Sequence, residues 1–169
     1  MMQKRNLLTL LALSPVLGAC GFRLRGAQSF VFRSLYIQAA ADSPVARQLH
    51  AVLAASGNIL VLREPLSPDS AEAILQILGE QQERVVVGMN ALGQVRELQL
   101  RLRLRYRLRT PGGAQPIGET ELLQQRDVTY NETNALAKSA EEGMLYQDMR
   151  TDIVQQVLRQ LAAIKSLGP

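Results

Sequence analysis

One segment limits the possible folds more than any other. From Leu98 to Arg109, leucines at 98, 100, 102, 104 and 108 and Tyr106 alternate with Gln99 and the arginines at 101, 103, 105, 107 and 109. Period two over this length is the signature of a β-strand with one dry face and one wet face. The strand is expected over Val95–Thr110. Pro111-Gly112-Gly113 turns the chain, and Ile117–Tyr130 returns beside it. Upstream, Ala73–Gly88 is a long extended region, and Asn90-Ala91-Leu92-Gly93 supplies the hairpin turn between the two. These three strands form an antiparallel meander whose leucine face needs a cover.

Two amphipathic helices supply it. Ser43-Pro44 places an N-cap and a first-turn proline before Val45, Leu49, Val52 and Leu53, and Gly57-Asn58 ends that helix. From about Asn134 to Ile164 there is no proline, and Tyr146, Met149, Ile153, Val157, Leu161 and Ile164 recur at spacings of three and four. Ser139 and Glu142 have the spacing of a capping box at its start. A short strand, Ser34–Gln38, precedes the first helix, and Ile59–Leu62 reads as an extended connection. The expected fold is α+β: a two-layer sandwich in the order β-α-β-β-β-α. Two helices pack on one face of a mainly antiparallel four-stranded sheet. Aromatics make up only 4% of the residues and Trp is absent, so the core must be aliphatic.

The wet face of Val95–Thr110 is a row of arginines about 6.8 Å apart. Neighbours at that distance repel by about 0.6 kcal/mol in water, so a solvated row is tolerable. Two readings stand. Glu80, Glu83, Glu119 and Glu121 on flanking strands can neutralise the row, or the row can dock phosphates, carboxylates or a polar protein surface. Of the 19 basic residues 16 are arginine, the better partner for planar anions. Nucleic acid is a poor partner, because no aromatics are interleaved for base stacking.

The N-terminal region decides location. Lys4 and Arg5 precede an apolar run, Leu7–Leu17, that is too short to span a bilayer, which takes roughly 20 residues. It has the length of a signal-peptide core. Leu17-Gly18-Ala19-Cys20 then resembles the bacterial lipobox. That resemblance implies cleavage before Cys20, a diacylglycerol on its thiol and an acyl chain on its new amine. The expected organisation is a cleaved signal at 1–19, a lipidated tether at 20–33 and an α+β domain at 34–165. Removal of Lys4 and Arg5 lowers the net charge from +4 to +2. Several acyl chains hold a protein to a membrane stably, where one is marginal. Gly21 in place of Asp implies, by the same resemblance, sorting to the outer membrane.

Nothing in the chain has the pattern of an active site. A single Cys and a single His, His50, exclude a disulfide within the chain and any two-His metal motif. There is no Gly-rich phosphate loop, nucleophile elbow or acidic metal cluster. No enzyme activity, metal or cofactor beyond the covalent lipid is expected.

Cys20-Gly21-Phe22-Arg23-Leu24-Arg25 and Asn134-Ala135-Leu136-Ala137-Lys138, with the β-α-β-β-β-α order, resemble the lipopolysaccharide-assembly lipoprotein family LptE, also called RlpB. The resemblance implies an outer-membrane lipoprotein that plugs the LptD β-barrel from the periplasmic side, helps it assemble and binds lipopolysaccharide. By motif match it places a lipopolysaccharide contact at Lys138. The family can also place a basic residue in the turn after the second strand. This chain has Asn90–Gln94 there, so such a contact moves to Arg96 or Arg84, or is absent. Arg101, Arg103, Arg105 and Arg107 complete the set of expected anion contacts. The alternative is a lipoprotein that faces the periplasm alone and binds an anionic lipid or other anion through the same row.

Overall fold

The computed structural model describes residues 29–63, 66–129 and 135–168, with side chains from residue 138 onward in the last helix. The signal segment, Cys20, most of the tether and Asn134 lie outside the described residues. The elements run β1 Ser34–Gln38, α1 Pro44–Ser56, β2 Leu60–Leu62, β3 Ala73–Met89, β4 Val95–Arg109, β5 Ile117–Thr129 and α2 Ala135–Ala163. They build one sheet in the order β2-β1-β3-β4-β5. β1 is parallel to both β2 and β3, while β3, β4 and β5 are antiparallel to one another.

The two-layer α+β architecture is as expected, with one correction in strand count. Leu60–Leu62 is a fifth strand and not a connection, held in register Ser34↔Leu60 to Tyr36↔Leu62. The boundary residues 29–33 have irregular backbone, yet Phe32 is buried at 1% exposure and Phe30 stacks on it at 5.5 Å between ring centroids. The packed domain therefore begins ahead of Ser34.

The core lies between the leucine face and the helices. Leu100, Leu102, Leu104, Tyr106 and Leu108 are fully buried against Leu49 and Leu53 of α1 and Met149, Ile153, Val157 and Leu161 of α2. Burying a leucine side chain is worth about 2 kcal/mol, so this layer carries most of the stability. The α1 caps form as read. The Ser43 hydroxyl accepts from the Ala46 amide, and Gly57 takes the left-handed conformation at φ 65°. The capping box at Ser139 does not form at a helix start, because α2 already begins at Ala135 and Ser139 lies a turn inside it. Tyr146 pins α2 to the sheet by donating to the Glu83 carbonyl at 2.7 Å.

A bulge in β3 sets which side chains face where. The register shifts between Ile77 and Gly79, so Glu80 pairs with Leu104 on the helix face and Glu83 with Arg101 on the other. A second, small apolar cluster of Tyr36, Ala71 and Ile74, with Leu62 against it, sits on that opposite face at the β1 end.

Candidate anion-binding surfaces

The sheet face away from the helices carries the arginine row. Arg103 pairs with Glu121, Arg105 with Glu119 at 3.4 Å and Arg109 with Asp69 at 3.9 Å. The Arg105 guanidinium passes over Gly79 opposite it, 3.4 Å from where a Cβ would stand. These are surface pairs, each worth under about 1 kcal/mol. Arg101 and Arg107 differ. Arg101 Nε donates to the Gln99 side chain at 2.8 Å and Arg107 Nε to the Gln76 side chain at 2.5 Å. Among the described residues neither has a carboxylate within ion-pair distance.

Of the four acids expected to neutralise the row, Glu119 and Glu121 do so. Glu83 stands opposite Arg101 in register without an ion pair to it. Glu80 is turned to the helix layer, where it accepts from the Ser43 hydroxyl at 2.7 Å and the Val45 amide at 3.2 Å. It thus caps α1 from another strand.

Lys138 and Arg96 do not belong to the row. Lys138 lies in the helix layer, on the other side of the sheet, and pairs with Glu141 at 2.7 Å. One turn further on, Glu142 pairs with Arg84 of β3 at 3.1 Å. Arg96 sits where the β3–β4 register is irregular, near the hairpin tip, and donates to the Gln94 side chain at 3.1 Å. The tip is tightly built: Asn90 Oδ1 accepts from the Leu92 and Gln94 amides, both at 3.0 Å. Around it Val86, Val87, Met89 and Leu92 are exposed, Leu92 at 83%. This apolar hairpin end is a feature that period-two reading passed over. Its only signal was the loss of alternation in Val85-Val86-Val87.

Other titratable groups have structural explanations. Arg63 Nε donates to His50 Nε2 at 2.6 Å, and desolvation with the Arg63 charge lowers the imidazole pKa. Tyr106 donates its hydroxyl to the Gln160 side chain inside the core, and burial pushes its pKa up to about 12. Among the described residues no group of three or more His, Cys, Asp or Glu could hold a metal ion, and no helix is long and apolar enough to cross a membrane.

The fold and its surfaces define a class: a two-layer α+β domain whose sheet is covered on one face and left open and arginine-rich on the other. The family model for LptE, described as lipopolysaccharide-assembly, matches residues 32–161. The LPS-assembly lipoprotein LptE of Yersinia enterocolitica is 29% identical over 167 residues, covering 96% of this chain and 78% of that protein. The solution structure of an uncharacterized lipoprotein B from Nitrosomonas europaea is 34% identical, with a TM-score of 0.71, over 85% of this chain and 91% of that one. Rare lipoprotein B from Shewanella oneidensis, 20% identical, shares the fold at a TM-score of 0.65, over 78% of this chain and 95% of that one. The chain belongs to the LptE family of lipopolysaccharide-assembly lipoproteins.

Proposed function

We propose that this lipoprotein is anchored in the outer membrane by lipid on Cys20 and acts without catalysis as plug and assembly factor of an LptD-type β-barrel. The observation that carries this reading is the open sheet face, on which Arg101 and Arg107 are bonded only to neutral amides. A barrel lumen is polar, and lumen carboxylates would complete those two guanidiniums as bidentate partners. Lipopolysaccharide contact falls at the hairpin end, where Arg96 and the ion-paired Lys138 and Arg84 flank an apolar surface. Phosphate can meet the cations there while acyl chains meet Val86, Val87 and Leu92. Family membership supports the lipopolysaccharide-assembly role, and the separation of the two surfaces supports two different partners.

Photocrosslinking in cells tests both halves. A photoreactive residue at 101 or 107 should give adducts with a large barrel protein, and one at 92 or 138 should give adducts with lipopolysaccharide. Recovery of the protein without any barrel protein from outer membranes overturns the plug reading.

A further inference from the structure

A depression in the domain lies outside both of these surfaces. A groove of about 1140 Å³ opens where β1 and β2 end. Its origin is topological. The chain leaves β1 toward α1 on one side of the sheet, whereas it leaves β2 toward Ala71, which packs on Tyr36 and Ile74 on the other side. Connections that diverge at the carboxyl ends of neighbouring parallel strands leave a crevice between them, the usual ligand position in such sheets. Much of its wall is small or apolar, with Ala46, Ala51 and Ala54 of α1 facing Leu62 and Leu66.

Among the described residues that line the groove, Arg47, His50 and Arg63 are the basic groups, and none is Asp or Glu. Arg47 donates to the Asp42 backbone carbonyl at 2.9 Å, and Arg63 is bonded to the His50 imidazole. Both guanidiniums therefore spend their hydrogen bonds on neutral acceptors, and an incoming anion would supply the opposite charge each lacks. A peptide ligand would need backbone partners, and the nearest free sheet edge, β2, is three residues long. A nucleotide would need a free stacking surface, and in the lining the Tyr36 ring is buried while the His50 imidazole is held by Arg63.

We propose that this groove binds a single-chain anionic amphiphile. Its carboxylate or phosphate head is drawn to Arg47 and Arg63, and its alkyl chain lies along Ala51, Ala54 and Leu62. The site is separate from the arginine row and from the hairpin end, so it stands whether or not the plug reading does.

The test uses the full-length lipoprotein in phosphatidylcholine vesicles, labelled with a diazirine-bearing fatty acid and mapped by mass spectrometry. Label should concentrate in peptides covering 39–54 and 60–66. Dodecyl phosphate and lauric acid should compete and dodecanol should not; whichever of the two competes better identifies the head group. Arg47→Gln with Arg63→Gln should lower groove labelling about tenfold or more. Ala51→Trp, which fills the groove without changing charge, should lower it as well, with thermal melting confirming that both variants fold. Label spread evenly over the surface overturns the proposal. So does equal competition by dodecanol, or labelling unmoved by either folded variant.

Discussion

The two faces of β4 belong to one strand and share every backbone hydrogen bond, yet they differ in almost everything else. On one face Leu100, Leu102, Leu104, Tyr106 and Leu108 are fully buried under two helices. On the other, side chains one residue away are partly or wholly exposed and satisfied by amides or surface carboxylates. The difference teaches where free energy is stored. The helix layer supplies the stability, which leaves the arginine face free to be chosen for contact without endangering the fold.

The largest effect expected from that contrast is Leu102→Ala, which should cost about 3 kcal/mol in urea unfolding. Its neighbour Arg103→Ala should cost under about 1 kcal/mol. Equal losses would break the comparison. Next comes alkali. Tyr106 keeps its proton to about pH 12 in the folded protein, while an unfolded tyrosine loses it near 10. The unfolded state therefore releases its proton first as pH rises. Up to about 3 kcal/mol of stability, fully present below pH 10, is lost between pH 10 and 12. Stability measured across that range should fall for the wild type and fall less for Tyr106→Phe.

Glu80→Ala removes the cap that β3 lends to α1 and should cost about 1 kcal/mol, with α1 amides exchanging faster. Smallest is the pair Arg101→Ser with Arg107→Ser. It should change stability by less than about 0.5 kcal/mol while reducing barrel co-purification. Loss of stability instead would mean that the open face is structural.

The parts that periodicity encodes were legible in the sequence. Leu98–Arg109 declares both its strand and its two faces, and the stripes from Val45 and Met149 declare the helices that cover it. What was not legible depends on events that periodicity cannot carry. Leu60–Leu62 is too short to display alternation, so pairing with β1 alone makes it a strand. The bulge at Leu78 inverts the parity of β3. Glu80 therefore leaves the arginines for α1, and Glu83 takes the outward side. Lys138 and the arginine row look like one basic set along the chain, but the sheet stands between them. The lipidation expected at Cys20 lies outside the described residues and rests on its motif.

The position of β1 has a consequence in time. Among the described residues it is the first strand, yet it lies inside the sheet, and its pairing with β3 joins Leu35 to Ala73 across a wide gap in sequence. A chain emerging from a translocon N-terminus first would expose an apolar strand whose β3 edge stays open until residue 76 follows. The β3–β4–β5 meander, by contrast, closes through two short turns and gains its contacts locally. Folding should nucleate there, with β1 inserted late. Until then the segment from Phe32 to Ile37 is the part of the newborn protein that most needs a chaperone.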